Sequence, residues 1–135
     1  MYNEIRYSVC GSLQQEELGK LLLSAANSSY SENELESIIS KSTAYVTARD
    51  SENLVGFGRF LSDGAIVAYI NNMAVSPEYQ QQGIGKAILD SLIEAAGDVK
   101  SIFLYSDTAD LFYLNSGFQP SEKRLYVRRR EDKIS

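Results

Sequence analysis

Between residues 43 and 75, three strand-like runs follow one another with only three or four polar residues between them, and this spacing constrains the fold more than any other feature. The runs are 43–49, 54–61 and 65–75, separated by Asp50-Ser51-Glu52-Asn53 and Ser62-Asp63-Gly64. Breaks this short close hairpins but leave no room for a crossover, so the three runs are expected as consecutive antiparallel strands. Pro77 stops the third run. The residues after it change period: Ile84, Ala87, Ile88, Ser91, Leu92 and Ala95 lie on one face of a helix that ends near Gly97.

The flanking segments complete the order. A short strand at Ile5–Val9 precedes Ser12 and Gln15, a pair spaced as a capping box, and a helix bearing Leu18, Leu21, Leu22 and Ala25. A second box, Ser31 with Glu34, opens a helix carrying Leu35, Ile38 and Ile39, after the polar joint Asn27-Ser28-Ser29-Tyr30. Downstream, 101–106 reads as a compact apolar strand and 109–115 as a short helix. From Gly117-Phe118 an extended segment includes Leu125, Tyr126 and Val127. Joining the third long strand to 101–106 through a helix implies one parallel pair in a mixed sheet. The 135 residues suit one domain, 1–135, which would bury roughly two-thirds of its unfolded surface.

Composition removes several classes of chemistry. With no histidine, the chain lacks the usual zinc ligand and the default general base, and its single Cys10 has neither a disulfide partner nor a histidine to activate it. No metal is expected. Thirteen basic against eighteen acidic residues give a net charge of -5, which opposes attraction to nucleic acid or anionic membranes. Arg128-Arg129-Arg130 is followed at once by Glu131 and Asp132. The absence of a secretory pattern at the start and of any membrane-length apolar run gives a cytoplasmic expectation.

The segment Gln80-Gln81-Gln82-Gly83-Ile84-Gly85 lies between a strand and a helix. Helix-entrance amides attract an anion, and glycines let a phosphate reach the backbone. Lys86 adds one charge in the first turn, and the glutamines add neutral donors. A nucleoside-triphosphate loop would need glycine where Gln80 stands and a hydroxyl where Ala87 stands; a dinucleotide turn would need glycine at Ile88.

The Gln80-x-x-Gly83-x-Gly85 spacing, the preceding 72–79 segment and the later Ala109-Asp110-Leu111-Phe112-Tyr113-Leu114-Asn115-Ser116-Gly117-Phe118 together resemble the GCN5-related N-acetyltransferase family. The resemblance spans nearly the whole chain. It implies a mixed α/β fold: a mostly antiparallel sheet with a V-shaped splay between the fourth and fifth strands, flanked by four helices. It also implies acetyl-coenzyme A as cosubstrate, with the pyrophosphate on Gln80, Gln81, Gln82, Gly83, Ile84, Gly85 and Lys86. The pantetheine arm would pair with the backbone of Met73, Ala74 and Val75. Relatives often carry asparagine at the position of Ser106, which would contact the same arm.

By the same resemblance Tyr113 is the acid that protonates the departing thiolate. A tyrosine with pKa ~10 is a donor at neutral pH without tuning, although buried tyrosines on short helices also serve as core. Many relatives place a carboxylate on the fourth strand where this chain has Asn71 and Asn72, which cannot take a proton. The acceptor pocket implied by the family lies between the joint of the first two helices and the strand ends, making Tyr30, Arg59, Tyr69 and Asn71 candidate lining residues. Asp107 has two readings, facing the cofactor groove or capping the next helix, while Asp63 reads as a turn residue.

Three functions are consistent with these features. The first is acetyl transfer to the primary amine of a small molecule, by direct attack in a ternary complex. The alternatives are acetylation of a protein or peptide amine, and acyl-coenzyme A sensing without turnover. Family members are frequently homodimers, but this chain carries no sequence feature for dimerisation.

Overall fold

The computed structural model describes residues 4–107 and 109–130. In chain order it contains β1 (Ile5–Val9), α1 (Gln15–Ala26), α2 (Glu32–Lys41), β2 (Ala44–Asp50), β3 (Asn53–Ser62), β4 (Val67–Val75), a single 3₁₀ turn (Pro77–Tyr79), α3 (Ile84–Ala96), β5 (Ser101–Phe103) and α4 (Asp110–Leu114). The chain divides into two compact units, Met1–Tyr105 and Ser106–Ser135. The first holds the sheet and α1 to α3, and the second holds α4.

The sheet order is β1-β2-β3-β4-β5. The first three junctions are antiparallel and β4 pairs with β5 in parallel, so the expected mixed sheet and four helices are present. Strand alternation sends neighbouring side chains to opposite faces. Phe57 joins Leu18, Leu21, Leu22, Leu35, Ile38, Tyr45 and Ala74 in the core beneath α1 and α2. Its neighbours Gly56 and Gly58 face the other way, where Ile84, Ile88 and Leu92 of α3 crowd them. Had either glycine carried a side chain, α3 could not lie so close to β3.

Three boundaries differ from the sequence expectation. The first helix is capped by Gln14 with Glu17 instead of Ser12 with Gln15. The Ser12 carbonyl accepts from Arg49 Nη2 at 2.9 Å, and Arg49 also holds Glu17, so the chain stays extended through Ser12. The Ser31–Glu34 box forms as expected, with bonds of 2.9 and 3.1 Å. β5 is only three residues long. Finally, no strand forms after Phe118 among the described residues. Leu125, Tyr126 and Val127 are consecutive apolar residues without period-2 alternation, so no single strand face could bury them, and all three remain exposed.

Candidate functional site

The site is built where β4 loses its partner on one side. Parallel pairing runs from Val67↔Ser101 to Tyr69↔Phe103 and stops, while β4 continues to Val75. Met73, Ala74 and Val75 therefore lie on a stretch of β4 with no pairing to β5. On its other side β4 remains attached to β3, through Phe57↔Ala74 and Gly56↔Val75.

A bulge interrupts that attachment. Phe57 pairs with Ala74 and Arg59 with Asn71, so Gly58 alone faces both Asn72 and Met73. Asn72 takes up the extra length with φ of 56°, a left-handed conformation that asparagine tolerates better than most residues. Its amide N–H donates to Asn71 Oδ1 at 2.8 Å. Its side chain accepts from Arg59 Nε at 2.8 Å and donates to Tyr30 Oη at 2.9 Å. Tyr30, Arg59, Asn71 and Asn72 are thus brought together at the bulge. The linking role of Asn72 went unrecognised in the sequence, although two asparagines in succession are poor strand formers and mark an irregularity.

Beyond β4 the chain makes the 3₁₀ turn and reaches α3 through residues 80–83. Gln81 has φ of 63° and Gly83, the residue before α3, has φ of 85°. Gly83 offers no side-chain cap, and an added Cβ would meet nothing within 4 Å. The first intrahelical bond runs from Ala87 N–H to the Gly83 carbonyl at 3.1 Å. The amides of Ile84, Gly85 and Lys86 therefore precede the helical ladder and keep their donor capacity, as at the head of any α-helix.

The side chains around these amides serve mainly the loop itself. Gln80 donates to the Val75 carbonyl at 3.1 Å and Gln82 to the Glu78 carbonyl at 3.4 Å. Lys86 is paired with Asp90 at 3.0 Å, which offsets the positive charge expected there. The Tyr79 hydroxyl donates to Asp50, and that acceptor raises its pKa. The turn thus presents backbone amides with little net side-chain charge around them.

In the second unit, Tyr113 lies on α4, its ring edge-on to Phe112 at 4.9 Å and to Phe118 at 5.9 Å. Burial raises its pKa, so the hydroxyl keeps its proton across the neutral range. The Ser106 hydroxyl accepts from Ala109 N–H at 3.0 Å. Ser106, rather than Asp107, therefore turns the chain into α4.

Tyr69 stacks on Phe103 at 5.1 Å, with Tyr105 tilted against it at 5.3 Å. Burial raises the pKa of the Tyr69 hydroxyl, and the positive charge of Arg59 opposes that shift. The sequence singled out Tyr69 but not Phe103 or Tyr105; register alone joins the first two. A separate open cleft of about 750 Å³ lies along α1 and the joint, lined in part by Gln15, Gly19, Lys20 and Glu32, and meets the bulge cluster only at Tyr30.

Comparison with known proteins agrees with this geometry. The acetyltransferase (GNAT) domain model matches residues 40–120. GCN5-related N-acetyltransferase 2, chloroplastic, from Arabidopsis thaliana is 39% identical over 74 residues, covering 53% of this chain and 29% of that protein. The match thus spans less than a third of that relative's length. A probable acetyltransferase of unknown function from meticillin-resistant Staphylococcus aureus superposes with a TM-score of 0.83 at 25% identity, covering 93% of this chain and 100% of that one. An aminoglycoside N-acetyltransferase in complex with CoA shares the fold at a TM-score of 0.71 and 13% identity, covering 96% and 97%. With its domain model matched over more than half its length and a β4 that parts from β5 beside an open helix head, this chain belongs to the GCN5-related N-acetyltransferase family.

Proposed function

We propose that the protein transfers acetyl from acetyl-coenzyme A to the primary amine of a small molecule, by direct attack within a ternary complex. The observation that carries this reading is that β4 pairs with β5 only as far as Tyr69↔Phe103, and its remaining stretch to Val75 leads through a short turn to a helix head with unpaired amides. Residues 83–86 would take the pyrophosphate and the backbone of Met73, Ala74 and Val75 the pantetheine amides. The amine nitrogen attacks the thioester carbonyl, a C–N bond forms, and the C–S bond breaks. The nitrogen sheds its extra proton to solvent, the sulfur takes the Tyr113 proton, and the tyrosinate recovers one from solvent, so that the products are the amide and the free thiol.

No side-chain base accompanies this scheme at Asn71 or Asn72. Asn71 Oδ1 is engaged by the Asn72 amide, and Asn72 is committed to Arg59 and Tyr30. The acceptor then reacts as the free amine, which for a lysine-like group of pKa ~10.4 is about one molecule in 10³ at pH 7.

The test is coenzyme A release over a broad amine panel, together with calorimetric binding of acetyl-coenzyme A. Tyr113→Phe should lower kcat on the order of 10²-fold while acetyl-coenzyme A still binds. Full turnover by Tyr113→Phe across pH removes the acid role. Saturable acetyl-coenzyme A binding with no transfer to any amine favours a sensor instead.

A further inference from the structure

Arg59 has an unusual balance of bonds for a charged side chain inside a sheet. It extends from β3, half-buried, and desolvation draws its pKa below the ordinary arginine value. Its Nε is fixed by Asn72 Oδ1 at 2.8 Å, and Asn72 is fixed in turn by Tyr30. The two Nη groups, with four N–H donors between them, bond to no described residue, and no described carboxylate pairs with the guanidinium. Among the described residues no buried side-chain nitrogen or oxygen lacks a partner, so these donors reach accessible space and are not sealed inside.

Arg49 on the adjacent strand shows the contrast. Its two Nη atoms grip the Glu17 carboxylate at 2.8 and 2.6 Å. A partly buried guanidinium without such a partner is costly, and its planar fork matches a carboxylate in two parallel bonds.

What surrounds Arg59 defines the rest of a ligand. Asn71 lies opposite it and Tyr69 opposite Leu61, which places all four on one face of the sheet by strand alternation. Tyr69 stacks on its register partner Phe103, and Tyr105 closes against both rings. Phe103 and Tyr105 are 41% and 54% exposed. An anchored cation thus stands beside an accessible aromatic wall.

We infer that the acceptor is a small amino carboxylate, its carboxylate held by the Arg59 Nη groups and its carbon body laid against Tyr69 and Phe103. This deepens the acetyltransferase reading and rests on it. Polyamines, which bring further positive charge to Arg59, are disfavoured by like-charge repulsion.

Matched acceptors test the inference: phenylalanine with phenethylamine, and γ-aminobutyrate with butylamine, with rates corrected to the neutral-amine fraction. The carboxylate member of at least one pair should show kcat/KM higher by tenfold or more, on the order expected for a charge-assisted bidentate contact. Arg59→Gln should bring that ratio towards one, and Arg59→Lys, which keeps the charge but not the fork, should retain part of it. A wild-type protein that acetylates carboxylate-free amines equally well or better overturns the inference and leaves the acetyltransferase reading standing. If the wild type binds acetyl-coenzyme A but turns over no amine, saturable binding of an amino carboxylate to the coenzyme A complex, lost in Arg59→Gln, supports the inference, and its absence overturns it. Failure to bind acetyl-coenzyme A at all rejects the acetyltransferase reading beneath it.

Discussion

Gly83 joins conformation to chemistry at a single residue. Its φ of 85° is left-handed, where an L side chain costs about 1–2 kcal/mol, yet the space around it is empty. Alanine there should destabilise the protein by about that amount through backbone strain, with no clash to add. The proposed pyrophosphate would also meet the new methyl group, so affinity for coenzyme A should fall severalfold, measured by calorimetry. Gly97 supplies the control, being left-handed in φ at 70° and equally open, but at the far end of α3. Gly97→Ala should lower the melting temperature and leave coenzyme A affinity unchanged. Equal losses of coenzyme A affinity in both variants would show that Gly83 acts on stability alone. Asn72 meets a similar backbone demand differently, because its side chain gains two bonds from the conformation its φ of 56° imposes.

At the scale of elements, the contact between α3 and the sheet fixes where the helix head points. Gly58 makes room for that contact. A Cβ there would lie 2.6 Å from Met73 Sδ, 2.9 Å from Leu92 Cδ1 and 3.0 Å from Ile88 Cγ2. Gly58→Ala should cost about 1–3 kcal/mol by urea denaturation, since Leu92 and Ile88 are fully buried and have little room to retreat. A cost near zero would mean that Met73 moves aside freely and that the bulge is soft. The strands from Ala44 to Val75 and the helix starting at Ile84 were legible in the sequence because a change of period from 2 to 3.6 is a local signal. The glycine turn was legible for the same reason, lying where the period changes. The bulge was not, because one extra residue in β4 is defined only against Gly58 in β3. Nor was the aromatic wall, since Phe103 meets Tyr69 through parallel register across a whole helical crossover. The candidates Tyr30, Arg59 and Asn71 came from family resemblance; the physical reason for their company is the Asn72 side chain.

At the scale of the whole molecule, the Glu17–Arg49 pair couples the cap of α1 to β2 and so ties helix to sheet. The Glu17 carboxyl lies below the usual carboxylate range, first because Arg49 hydrogen-bonds it, with the Gln14 amide adding to the effect against desolvation. Glu17 is therefore more acidic folded than unfolded. Its contribution is fully present above the unfolded value of about 4.3 and is lost as pH falls through the folded value. The Asp63 carboxyl is depressed in the same direction by the amides of Ala65, Ile66 and Val67, so acid weakens the fold at two places. Glu17→Gln isolates one of them. The variant should be about 1 kcal/mol less stable than wild type at pH 7, a value appropriate to a partly exposed pair. That deficit should begin to close as pH falls through the unfolded value of about 4.3 and be gone once pH has passed below the folded value, where the wild type carries a protonated Glu17 as well. Urea midpoints of both proteins from pH 7 down to pH 3 measure it. Parallel curves across the whole range would mean that the Glu17 side chain stabilises the cap through its shape and neutral hydrogen bonds, and not through its charge on Arg49.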